Sequence, residues 1–141
     1  MKLLAVAVEE AQDSSLPRLP YVLEESHSVL EIASRQGTRS ANVEATQAKT
    51  EIMASLESTN MVHLACHGIQ HSTEPHRSHF CLGSGELTVS ELMEMDLKEA
   101  FFAFLSACET ARGDQKHADE AVHLAATMLF AGFKSVVATM W

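Results

Sequence analysis

The sequence predicts an α/β domain built on a mainly parallel central sheet. Three observations carry this reading: four short apolar runs at residues 3–8, 61–66, 100–105 and 135–141, the lack of strict alternation inside them, and helical spacing between them. Strands covered on both faces read as continuous apolar runs, and strands that alternate with helices pair in parallel through right-handed crossovers. The 141 residues are 46% hydrophobic with 6 Gly and 3 Pro, a composition suited to one compact core.

The elements follow in chain order. Met1-Lys2-Leu3-Leu4-Ala5-Val6-Ala7-Val8 has the basic start and apolar run of a secretory leader, but Glu9 and Glu10 follow with no small-residue cleavage site, so it reads as a first strand. Val22, Leu23, Val29, Leu30 and Ala33 recur near the 3.6-residue period and predict a helix over 21–35. Ala45, Ala48, Ile52 and Leu56 do the same for 46–58, with a short strand near 41–44 between the two helices. Thr88-Val89-Ser90-Glu91 is a capping box, in which hydroxyl and carboxylate satisfy amides at a helix start, and Leu87 and Leu92 flank it as a hydrophobic staple. That helix is brief, because Asp96 introduces a turn before the next apolar run. A last helix covers about 119–131, with Asp119 as its cap, Val122, Ala125 and Leu129 on one face and Gly132 at its end.

The charge balance is 19 acidic against 10 basic residues, a formal net charge of -9. A surface for nucleic acid or anionic membrane needs clustered Lys and Arg to neutralise phosphate, and no such cluster exists, so neither is expected as a partner. No apolar stretch approaches the roughly 18 residues that suggest a membrane span. Three cysteines, Cys66, Cys81 and Cys108, form an odd set, which argues against a disulfide framework and for a reducing, cytoplasmic setting.

Parallel sheets bind ligands beyond the carboxyl ends of their strands. The run 61–66 is followed at once by His67-Gly68, and the run 100–105 by Ser106-Ala107-Cys108. If these strands are neighbours, about 4.8 Å apart, an imidazole and a thiol leave one edge of the sheet within reach of each other. Alternation sends Cys66 to the face opposite His67 and leaves His63 on the His67 face, and core packing is expected of both. His71, His76, His79 and Cys81 make the following segment rich in potential zinc ligands, but the spacing fits no standard finger and lacks paired CxxC units. A solvated loop is expected there, with no metal and no cofactor.

The motifs Val62-His63-Leu64-Ala65-Cys66-His67-Gly68 and Leu105-Ser106-Ala107-Cys108-Glu109-Thr110-Ala111 together resemble the CHAT family, caspase-like domains placed with caspases and separase and often found beside tetratricopeptide repeats. Asp119-Glu120-Ala121-Val122-His123-Leu124-Ala125 and the stretch from Ala131 to Trp141 extend the likeness through nearly the whole chain. The resemblance implies a caspase-like three-layer sandwich, with residues 1–141 as a single domain whose sheet is incomplete at the C-terminal side. The family pattern continues beyond the strand ending in Trp141, so further strands and helices are expected to be missing and an apolar sheet edge uncovered.

The resemblance also implies a cysteine endopeptidase dyad, with Cys108 as nucleophile and His67 as general base and acid. A free thiol has a pKa of about 8.5, and a neighbouring imidazole can take its proton or hold the thiolate by charge. The backbone amides of Gly68 and Cys108 are candidate oxyanion donors by analogy with the caspase-like fold, and no acidic third member is assigned. Asp114, in the loop after Cys108, and Arg18, after the first strand, are candidate substrate contacts. A protein or peptide substrate and regulatory domains such as tetratricopeptide repeats are the expected partners, in an intracellular signalling or defence context. The alternatives are a noncatalytic pseudoprotease or interaction module and, more weakly, a zinc-binding protein.

Overall fold

The computed structural model describes residues 1–43, 47–71, 73–106 and 117–139, the side chains of 117–122 excepted. Cys108 and Asp114 lie outside the described residues. The elements run β1 Lys2–Ala7, α1 Val22–Arg35, β2 Arg39–Val43, α2 Lys49–Glu57, β3 Met61–Ala65, β4 Gly68–Ile69, β5 His79–Leu82, β6 Gly85–Thr88, α3 Val89–Glu94, β7 Phe102–Ser106, α4 His117–Phe130 and β8 Ser135–Ala138. A 3-10 turn, Pro75–Arg77, precedes β5.

All four apolar runs become strands of one sheet, joined by β2 in the order β2-β1-β3-β7-β8, with every pairing parallel. One face of this sheet carries α1, which packs on β1, β2 and β3. The other face is covered by the remaining helices and a small second sheet, and there the main core forms from Leu4, Val6, Val62, Leu64, Leu105 and their partners. This layering is the α/β sandwich of a caspase-like fold. No helix among the described residues is long and apolar enough to cross a membrane.

The capping box forms as expected: the Thr88 hydroxyl accepts from the Glu91 amide at 3.2 Å, and the Glu91 carboxylate accepts from the Thr88 amide at 2.9 Å. Leu87 and Leu92 are both fully buried in the core. At the end of α4, Gly132 takes φ 120°, and a Cβ there would sit 3.2 Å from the Leu97 carbonyl oxygen, so both conformation and space call for glycine.

Two expectations are corrected. Helix α4 begins at His117, so Asp119 is inside it and not its cap. The segment after His67 is not a solvated loop throughout, because β4, β5 and β6 form an antiparallel sheet that places Phe80, Cys81 and Leu82 in the interior. A two-residue turn, Gly83-Ser84, joins β5 to β6, with Leu82 opposite Gly85. Glycine followed by serine between two short runs is a hairpin signal that the histidines obscure.

Candidate active site

Strands β3 and β7 are immediate neighbours, and the register pairs Met61 with Phe102, His63 with Phe104 and Ala65 with Ser106. His67 follows Ala65 by two residues in the sequence, and Cys108 follows Ser106 by the same two. His67 thus leaves the carboxyl edge of the sheet, where a crossover fold leaves room for a ligand.

Two other chain segments hold His67. Its residue is 2% exposed. Its carbonyl accepts from the Cys81 amide at 2.7 Å, which ties the strand end to β5. Its ring Nε2 lies 2.7 Å from the carbonyl oxygen of Pro17. A carbonyl only accepts, so Nε2 carries the proton and donates, and in the neutral ring Nδ1 is the basic nitrogen. The loop after β1 delivers that carbonyl through its own bonds. The Gln12 amide donates to Leu82, the Leu16 amide to Asp13 and the Leu19 amide to Glu9, at 3.3, 3.1 and 2.9 Å.

Gly68 follows directly. Its amide shares a peptide unit with the His67 carbonyl, and no peptide bond among the described residues is cis. In a trans unit the two groups point in opposite directions. With the carbonyl aimed at β5, the Gly68 N–H faces away from it.

A second polar group lies on the same face, two pleats further from the edge. His63 is 1% exposed, its Nε2 donates to Glu25 Oε1 at 2.9 Å, and its ring stacks on Phe104 with centroids 5.4 Å apart. The other oxygen of Glu25 accepts from the Ser106 hydroxyl at 2.9 Å. His63 Nδ1 is buried without a hydrogen-bond partner among the described residues. His63 is thus packed in the interior as expected and holds Glu25 as well, and Cys66 is buried in the main core on the opposite face, as expected.

Arg18 is exposed and binds Glu9 Oε1 at 2.9 Å and Glu10 Oε1 at 3.7 Å. It directly follows Pro17, so it stands beside the group that orients His67.

The four potential zinc ligands do not converge. His79 Nδ1 donates to the Arg77 carbonyl at 2.9 Å, and His71 Nδ1 accepts from the Glu74 amide at 3.3 Å. Burial pushes the Cys81 thiol up to about 12, with Glu86 and Asp13 adding to the shift, so the thiol stays protonated near neutral pH. Among the described residues no three His, Cys, Asp or Glu side chains are grouped to hold a metal.

Sequence reasoning missed Pro17 and Glu25. A backbone carbonyl leaves no mark in a sequence. Glu25 does leave one: it stands three residues after Val22 and four before Val29, a carboxylate set within the apolar stripe of α1.

No curated protein matches the chain. The model of the CHAT domain matches residues 2–141, and the chain belongs to that family of caspase-like domains.

Proposed function

We propose that this domain cleaves peptide bonds through a cysteine–histidine dyad formed by Cys108 and His67, in an intracellular signalling or defence setting. The observation that carries the reading is the β3–β7 register, in which the two residues stand at equal offsets beyond a paired Ala65 and Ser106. Membership of the CHAT family, which often has cysteine peptidase activity, supports it independently.

The chemistry follows from the tautomer of His67. With Nε2–H engaged by Pro17, Nδ1 accepts the proton of the Cys108 thiol, and the thiolate attacks the scissile carbonyl carbon. Negative charge gathers on the carbonyl oxygen, where the amides of Gly68 and Cys108 donate. The imidazolium then returns its proton to the departing amine as the C–N bond breaks, leaving an acyl-thioester. Water, deprotonated by His67, hydrolyses the ester and frees the thiol. Arg18 and Asp114 border the cleft and contact the substrate in this reading. Proposed partners are a protein or peptide substrate and regulatory tetratricopeptide-repeat domains.

One observation favours a noncatalytic interaction module as a second reading. An apolar hollow of about 360 Å³ opens on the α1 face beside β7, lined by Ile32, Phe102 and Phe104 among others. Such a surface suits a protein partner whether or not the dyad works.

Labelling with a peptide acyloxymethyl ketone separates the two. The parent chain is expected to label at Cys108, and Cys108→Ala and His67→Ala to lose labelling by about a thousandfold. Equal labelling of all three would remove the peptidase reading and leave the interaction module.

A further inference from the structure

Within the dyad reading, we propose that Glu25 is a positioning residue, whose single carboxylate braces both dyad-bearing strands against the first turn of α1. One oxygen holds His63, four residues before His67 on β3, and the other holds Ser106, two residues before Cys108 on β7.

The fold places Glu25 where such a brace is needed. Because β1 and β2 are parallel, α1 runs back along the sheet and its first turn lies beside the strands' carboxyl ends. A carboxylate is favoured in that first turn by the exposed amides of the helix start. Its two partners do not sit opposite each other. His63 pairs with Phe104 and Ala65 with Ser106, so the carboxylate spans diagonally across the β3–β7 ladder. The contact thereby resists sliding of one strand past the other as well as their separation.

The chemistry of the group argues for geometry over stability. His63, 1% exposed, keeps a buried Nδ1 without a partner among the described residues, and Ser106 is 5% exposed. Apolar side chains at these positions would fill the same space with no polar group to satisfy, and buried polar groups are kept at such sites where they fix one arrangement. The same short segment fixes His67 itself. Pro17 holds the ring, Val22 packs with Ala65 and Ala7, and Glu25 reaches β7. Residues 17–25 thus connect the imidazole to the strand that leads to Cys108.

The test uses the pH dependence of Cys108 alkylation by iodoacetamide in the full chain, with Cys108→Ala as blank and melting temperature recorded for each variant. Glu25→Ala is expected to move the profile toward that of an unassisted thiol and to slow labelling near neutral pH by about tenfold. Glu25→Gln, which still accepts from Ser106, is expected to restore the parent profile to within about threefold. Ser106→Ala removes one hydroxyl and reads the same contact if Glu25→Ala does not fold. Variants that melt lower but keep the parent's profile would overturn the brace, since a merely structural role alters stability alone. A parent profile that is sensitive to His67→Ala and insensitive to both brace variants overturns the brace and leaves the dyad. A parent profile insensitive to His67→Ala overturns the dyad, and the brace with it.

Discussion

The two faces of the central sheet are built differently. Toward α2, α3, α4 and the small sheet, β3 and β7 present Val62, Leu64, Cys66, Ala103 and Leu105, all at 1% exposure or less. Toward α1 they present His63, His67 and Ser106, together with Phe102 and Phe104, which are only half-buried. A polar group buried in a dry core costs free energy unless every bond is made, whereas beside a single helix at the sheet edge it can be met by that helix, a loop carbonyl or a substrate. The thick face stabilises the sheet, and the thin face carries the candidate chemistry.

Cutting one large side chain on each face separates their contributions to stability. Leu64→Ala is expected to destabilise by about 2–5 kcal/mol in urea denaturation, as buried leucines do. Phe104→Ala, although it removes a larger side chain, is expected to lose only about 1–2 kcal/mol because part of its surface is already open. Equal losses would mean that the α1 face is as closed as the other.

A smaller effect sharpens the same contrast on the thick side. Thr88→Ala removes the cap of α3 and is expected to cost about 0.5–2 kcal/mol. Its partner Glu91 adds a pH signature. Burial pushes that carboxyl up, but bonds from Lys49 and from the Thr88 amide and hydroxyl outweigh it and leave the pKa below its ordinary 4.5. A depressed carboxyl contributes stability above the unfolded value and loses it as pH falls through the folded one. The Lys49–Glu91 pair is partly exposed, so the contribution is at most about 1 kcal/mol. Melting curves below pH 4.5 should therefore show a loss in the parent that Glu91→Gln does not share.

Much of this was legible in the residues. The apolar runs announced the parallel strands because burial on both faces suppresses alternation, and the run-ending His67 and Ser106-Ala107-Cys108 pointed to the edge of the candidate site. The antiparallel sheet escaped because β4 has two residues and β5 and β6 four each, too short for a periodicity to emerge, and because His79 opens β5 as a polar residue. The orientation of His67 was illegible for a different reason: its partner is the carbonyl of Pro17, which any residue would supply. Glu25 was readable in principle from its place between Val22 and Val29, but a carboxylate in a first helical turn has a sufficient local explanation in the exposed amides there. Only the coordinates connect it to His63 and Ser106.

The most direct measurement is nitrogen-15 NMR of the His67 imidazole, in the parent and in Cys108→Ala. With Pro17 holding Nε2–H and, in the proposed dyad, the Cys108 sulfur beside Nδ1, Nε2 is expected to keep its proton throughout the titration and the Nδ1 resonance to move when the sulfur is removed. A proton resident on Nδ1 in the neutral ring, or identical spectra for the two proteins, would contradict that arrangement.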